Sequence, residues 1–225
     1  RGDGRSNIFN ESCFTTKKFD KFKINKILLN PPYAQEDEKE TDFIDHSLNI
    51  IEKGGLFCSV FTYAVLAEKS SAKWRKNLLM NHTVEAVFSM PVDLFYPTSA
   101  NTVVMLIKAK IPHKGKIFFS KIVNDGYKIY RKKRVETEGS QLEPSLKLFN
   151  QRLIDGNSVN FRKFSIYTEL DEDDKLCELV PEAYLESENL TKDIITEKTE
   201  KLLLEYGGFR IRFAKELENI KKNEK

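Results

Sequence analysis

Asn30, Pro31, Pro32 and Tyr33 stand in a row and together carry groups suited to a planar amine. Asn30 offers a side-chain carbonyl, and the Asn30 and Pro31 backbone carbonyls add two further acceptors. Tyr33 offers a flat face. Several acceptors beside a stacking surface fit a planar group bearing an NH2, such as the edge of adenine. The prolines restrict the turn itself and the residue before each of them. The same quartet also reads as an ordinary Asn-Pro turn with a stiff Pro-Pro loop. Context favours the chemical reading, because an apolar run, Ile27-Leu28-Leu29, feeds the quartet and reads as a buried strand. Ligands of open α/β sheets bind beyond the carboxyl ends of such strands.

The elements that must position this quartet follow from periodicity. Residues 1–23 read as irregular, and Ile24 to Leu29 as a strand. Thr41-Asp42 caps a helix whose Phe43, Ile44, Leu48 and Ile51 recur at helical spacing, and Gly54-Gly55 stops it. Leu56 to Thr62 is a fully buried strand, and Tyr63 to Met80 a helix with Leu66, Trp74, Leu78 and Leu79 as candidate core. Thr83 to Ser89 is a third strand. A loop from Met90 to Ala100 leads to a fourth, Thr102 to Ile107. Alternation of strands with helices predicts three parallel strands with right-handed crossovers. The third and fourth strands are joined without a helix and should form an antiparallel hairpin, with the fourth at the end of the sheet. Lys116 to Val123 reads as another strand, closed by a turn at Asn124-Asp125-Gly126. Residues 127–170 show no clear pattern, and from about Asp171 the pattern is helical, broken at Gly207-Gly208.

Composition narrows the function classes. The chain has 225 residues and a formal net charge of +3, which permits nucleic-acid contact without demanding it. Its charge is unevenly placed. Lys17, Lys18, Lys21, Lys23 and Lys26 form one basic cluster and Arg131-Lys132-Lys133-Arg134 another, while Glu36 to Glu40 and Asp171 to Asp174 are acidic. Such runs usually mark solvated faces. Cys13, Cys58 and Cys177 are widely spaced, and the three histidines are scattered, so neither a disulfide framework nor a metal site is indicated. No apolar run reaches the ~18 residues of a membrane span. With no signal peptide either, the chain reads as cytoplasmic. A start at Arg1 without methionine reads as a portion of something longer.

These residues carry a resemblance to the adenine-N6 DNA methyltransferases of restriction-modification systems, especially type I modification subunits. It rests on NPPY at 30–33, GGLFCSVFTYAVL at 54–66 and WRKNLLMNHTVEAVFSMPVDLFYPTSANTVVMLIKAK at 74–110, and covers about residues 24–125 well. The resemblance implies an α/β fold: a Rossmann-like methyltransferase half-sheet of parallel strands with a terminal antiparallel hairpin strand, plus a mostly helical C-terminal extension. The expected divisions are a partial catalytic domain at 1–125, an extension of unclear structure at 126–170 and a helical segment at 171–225.

The resemblance also implies methyl transfer from S-adenosyl-L-methionine to a flipped adenine. Asn30, Pro31, Pro32 and Tyr33 would be the catalytic quartet. Tyr33 would stack on the base, with Phe95 of the Leu-Phe-x-Pro loop as a second aromatic and Tyr96 as the alternative. Phe95 equally reads as a core residue capping the sheet. Glu11, in NIFNESCF at 7–14, matches the acidic position that contacts the cofactor in the family, and Asn30 and Pro31 would lie near the methyl donor. The Gly-rich turn that forms the family's main cofactor element is not found. Implied partners are double-stranded DNA and a specificity subunit, which the segment 171–225 could dock, with a restriction subunit as a further candidate. Two alternatives stay open: a protein glutamine-N5 methyltransferase, which also carries NPPY, and a non-catalytic fragment that binds DNA or a partner subunit.

Overall fold

A computed structural model describes residues 8–33, 39–98, 100–151, 163–170, 174–186 and 199. The chain divides into two compact units, residues 1–186 and 187–225, and the helical expectation for 187–225 lies outside the described residues, apart from residue 199.

The first unit is built on a six-stranded sheet. In chain order its elements are β1 (Lys26–Leu29), α1 (Glu40–Ile50), β2 (Leu56–Thr62), α2 (Tyr63–Ala67), α3 (Ala72–Asn81), β3 (Thr83–Ser89), β4 (Thr102–Lys108), β5 (Ile117–Lys121), β6 (Tyr127–Tyr130), β7 (Lys133–Glu136), α4 (Leu142–Gln151) and β8 (Ser165–Thr168). The sheet order is β1-β2-β4-β3-β5-β8, and β6 and β7 form a separate two-stranded ribbon. β1 pairs parallel to β2 and β3 parallel to β5, while β4 is antiparallel to both β2 and β3. β1, β2, β3 and β5 therefore point the same way, and the fold is the mixed α/β sheet expected.

The expected hairpin of β3 and β4 is present, but β4 does not lie at the end of the sheet. It sits between β2 and β3, paired along its whole length to β2 and, across a bulge at Glu85, to β3. The helical crossover from β2 skips one strand position, and β4 fills it. Its Val103, Met105 and Ile107 are fully buried, as suits an interior strand.

β1 and β8 are the two edge strands of the described sheet, so the expectation of a buried strand at Ile27-Leu28-Leu29 holds only for one face of β1. Leu28 is 86% exposed, whereas Ile27 and Leu29 pack against the core. The expected helix from Tyr63 to Met80 is broken. α2 ends at Ala67 with Glu68 as its cap, a 3-10 turn spans Lys69–Ser71, and α3 follows. The break lets fully buried Arg75 donate to the carbonyls of Val65 (2.7 Å), Glu68 (2.9 Å), Leu176 (2.6 Å) and Cys177 (2.7 Å). One guanidinium thus closes α2 against α3 and bolts down the returning segment 174–186.

That segment contains one 3-10 turn, Pro181–Ala183, and not the longer helix that its pattern suggested. Leu179 and Val180 enter the same core as the sheet, and Tyr184 stacks on Phe119 at 4.3 Å. The first compact unit runs through Glu186. No helix among the described residues is long and apolar enough to cross a membrane.

Candidate active site

Asn30 begins where β1 ends, at the edge of the sheet defined by the carboxyl ends of β1, β2, β3 and β5. Pro31 is buried, Asn30 and Pro32 are exposed, and Tyr33 is half-buried. The rigid Pro-Pro pair holds the turn so that Tyr33 folds back on Asn30. The Tyr33 hydroxyl donates to Asn30 Oδ1 at 2.9 Å. That oxygen has two lone pairs, so one stays free to accept from an amine. Burial, and then the negative charge of Glu40, raise the Tyr33 phenol above its ordinary pKa, which keeps it a neutral donor.

The second aromatic comes from the loop after β3. Phe95 meets Tyr33 edge to face, with ring centroids 5.9 Å apart and planes at 70°. Successive turns brace this loop: Leu94 N–H bonds Pro91 O, Tyr96 N–H bonds Asp93 O, and the Thr98 N–H and hydroxyl both bond Phe95 O. Phe95 is half-buried but does not belong to the core cluster, so its reading as a core cap does not hold. Tyr96, the alternative, is 38% exposed, and its ring makes no aromatic contact with Tyr33 among the described residues. Beside the loop lies a cleft of about 600 Å³, lined on one side by Pro91, Val92 and Asp93 and on the other by Lys121, Ile122 and Val123.

The structure does not gather every expected residue. Glu11 is exposed and its carboxylate is engaged by Lys18, which, with Thr16, holds its pKa below the usual carboxylate value. Its described polar partners are in its own turn and not in the quartet. For a sulfonium cofactor the chain thus presents acceptors at Glu11 and at the Asn30-Pro31 backbone. Among the described residues it presents no Gly-rich turn, so the donor set described fits only part of the cofactor.

One contributor escaped the sequence reading. Glu40 belongs to the acidic run read as a solvated face, yet it is only 8% exposed. Its carboxylate accepts from the Thr62 N–H (2.9 Å) and hydroxyl (3.0 Å). This clamp ties the start of α1 to the end of β2. Asp42, expected as part of the helix cap, does accept from the Lys39 N–H at 2.9 Å. The available signal for Glu40 was its position in the first helical turn, where carboxylates are favoured. Its partner lies 22 residues away and left no local trace.

Comparison with known proteins agrees with this architecture. The chain is 28% identical over 153 residues to the type II restriction enzyme and methyltransferase RM.BcgI of Heyndrickxia coagulans, covering 63% of this chain and 24% of that protein. It is 24% identical over 184 residues to the type I restriction enzyme MpnII methylase subunit of Mycoplasma pneumoniae, covering 67% and 34%. The chain thus spans about a quarter to a third of the length of these curated relatives. The fold is similar to that of the type I restriction-modification methyltransferase subunit from Streptococcus thermophilus (TM-score 0.53, 18% identity, 69% of this chain and 36% of that one). It is likewise similar to the type I restriction enzyme EcoKI M protein (TM-score 0.53, 13% identity, 81% and 48%). The N-6 DNA methylase family model matches residues 3–193, the whole described sheet and the Asn30–Tyr33 and Phe95 constellation included, and the chain belongs to that family.

Proposed function

We propose that this chain is the target-base half of an S-adenosylmethionine-dependent DNA adenine-N6 methyltransferase of a restriction-modification system. The observation that carries the reading is the convergence of Asn30 Oδ1, Tyr33 and Phe95 at the carboxyl edge of the sheet. Family membership supports DNA adenine over a protein glutamine amide as the acceptor.

An exocyclic amine is a weak nucleophile because its lone pair is delocalised into the ring. Asn30 Oδ1 and the Pro31 carbonyl accept the two amine hydrogens, localise that lone pair and stabilise the positive charge that develops on N6. S-adenosylmethionine, when bound, supplies the electrophilic methyl group. As N6 bonds to the methyl carbon, the carbon's bond to the sulfonium sulfur would break and the sulfur would leave as a neutral thioether; N6 would then release one proton to water, so no strong base is required. The base must first leave the duplex, at a cost of a few kcal/mol. Stacking on Tyr33 offsets this by roughly 1–3 kcal/mol. Phe95 closes the corner from its edge. Glu11 and the Asn30-Pro31 backbone contribute acceptors for the cofactor, and the remainder of that site lies in sequence beyond this chain. The exposed Leu28 face and open edge of β1 are where further sheet would add. Site selection falls to a specificity subunit.

The experiment is mass spectrometry of nucleosides in DNA from cells expressing the full-length reading frame, together with its cognate subunits, beside an Asn30→Ala control. N6-methyladenine that vanishes in the control is the expected result. Its persistence in the control would remove Asn30 from the mechanism, and its absence in both would overturn the assigned reaction.

A further inference from the structure

We propose that the β6–β7 ribbon is a phosphate-gripping arm that holds the DNA strand carrying the target base. The inference rests on DNA being the substrate, and it assigns a binding surface to residues 127–136. That stretch carried no functional reading beyond a basic run.

The ribbon is strongly cationic and its tip is unneutralised. It carries Lys128, Arg131, Lys132, Lys133 and Arg134 against one acidic residue, Glu136. Among the described residues only Arg134 of these five cations is ion-paired, through a bidentate contact with Asp125 at 2.7 Å to each oxygen. The other four side chains are exposed. A charge run of this kind is ordinary on a solvated face, but the backbone here argues for more. Arg131 and Lys132 are the two turn residues and both have positive φ, 47° and 63°. Two-residue turns of this sort favour Asn and Gly, because other side chains are strained there. Placing the two cations at the least comfortable positions aims them outward from the tip. Strained positions of this kind cluster at functional sites.

The ribbon is also poorly buried yet firmly rooted. Every residue of β6 is exposed, including Tyr127, Ile129 and Tyr130 at 43%, 41% and 56%. Isolated two-stranded ribbons are marginal in water, so this one depends on its base. There Asp125 is only 6% exposed, Gln141 Oε1 accepts from the N–H groups of Val123 and Asn124, and Asn124 Nδ2 donates to Glu138 O. Arg134 links that base to the target-base loop, because its Nη1 donates to Leu94 O at 3.5 Å, one residue before Phe95. The segment that roots the ribbon and the base-stacking loop border one cleft, with Val123, four residues before β6, and Asp93 both in its lining. Through that link, a strand whose base faces Tyr33 and Phe95 would run past the loop towards the ribbon, and its phosphates would meet the cations of the tip. Arg131 and Arg134 lie over the rings of Tyr130 and Tyr127 at 5.3 and 5.2 Å. That arrangement restricts the guanidinium groups while leaving Arg131 open to solvent. Contacts of this type set register and affinity without reading sequence.

The test uses the full-length protein with its cognate subunits and a fluorescein-labelled DNA duplex of mixed sequence, with anisotropy measured from low to moderate salt. The variant is Arg131→Gln/Lys132→Gln/Lys133→Gln, which leaves the rooted Arg134 in place. The expected result is a log–log salt slope shallower by up to about 2.7, from three lost phosphate contacts at about 0.9 each. Arg131→Lys/Lys132→Arg keeps the charge and should keep the slope, which separates charge from folding of the turn. An unchanged slope in the triple variant overturns the arm, and so does an equal loss in the charge-keeping variant. Methylation is scored separately on the wild type. A shallower slope without N6-methyladenine would leave the arm standing and the reaction refuted. N6-methyladenine with an unmoved slope would do the reverse.

Discussion

The two edges of the sheet are built by opposite rules. At the edge where β1, β2, β3 and β5 begin, short connections satisfy themselves. Gly54 N–H bonds Ala109 O, Ala109 N–H bonds Gly55 O, and Leu56 N–H bonds Asn25 O. Lys110 N–H bonds His82 Nδ1, and Lys110 Nζ bonds Asn49 O. At the edge where those strands end, the connection after β3 is longer, and it carries side chains that stay outside the core. Asn30 is exposed and bonded by Tyr33, and Phe95 rests on Tyr33 and not in the core. The first edge holds the sheet, and the second offers acceptors and ring faces to something else. Backbone bonding does not separate the two, since the loop after β3 is braced by its own turns; the difference lies in side chains that meet one another outside the core.

That contrast can be broken from either side. The largest expected effect is on stability, away from the site. Arg75→Ala strands four closely bonded carbonyls and opens a cavity, and should cost about 3–5 kcal/mol, read as a lower denaturant midpoint. A loss under 1 kcal/mol would show that segment 174–186 is held by other contacts.

Next comes Tyr33→Ala at the open edge, which should lower methyl transfer roughly 5- to 150-fold, as expected from a stacking loss of about 1–3 kcal/mol, with little change in melting temperature. The loss should shrink when the target adenine is mismatched, since flipping is then easier. Equal losses on paired and mismatched duplexes would argue against stacking.

Gly55→Ala sharpens the closing edge. A Cβ there would stand 2.7 Å from Ile51 Cγ1 and 3.0 Å from Asn25 O, so the turn must shift. A destabilisation of about 1–3 kcal/mol with activity per folded molecule retained is expected. Calorimetry beside a turnover assay would check it, and a drop in activity larger than the folded fraction explains would blur the division between the edges.

The smallest effect is a pH dependence. Burial pushes His82 below its ordinary pKa, with the Lys110 charge adding to it, and His82 Nδ1 accepts a hydrogen bond that requires the neutral ring. The unfolded chain therefore binds the proton more readily. This stability contribution is present above the unfolded value of about 6.5 and lost as pH falls through the lowered folded value. Urea midpoints from pH 7 to 5 should fall less steeply in His82→Gln. Parallel curves would show that His82 is not the titrating group.

Much of the fold is legible locally. β2, β3 and β4 follow from apolar runs bounded by turn residues, and α1 from its 3.6-residue spacing. The quartet at the end of β1 is legible because chemistry, rigidity and position coincide in four adjacent residues. The gaps have a common origin. Within 127–170, β6 resisted reading because it is exposed throughout and so lacks the alternation that marks a half-buried strand. The break at Glu68 follows from a guanidinium seven residues on that must reach carbonyls on both sides of it.

By itself, the sequence determined which segments become strands and helices, and which residue types meet at the end of β1, because periodicity and turn chemistry are encoded over a few neighbours. Only the tertiary structure decided that β4 enters the middle of the sheet, that Glu40 leaves a charged run to grip Thr62, that Phe95 comes to Tyr33, and that the basic ribbon roots beside the same loop. Each of these pairs groups more than 20 residues apart or ranks one strand neighbour over another. Such choices are settled by which arrangement buries the apolar faces and satisfies the buried polar groups at once, a condition on the whole sheet that no local stretch contains.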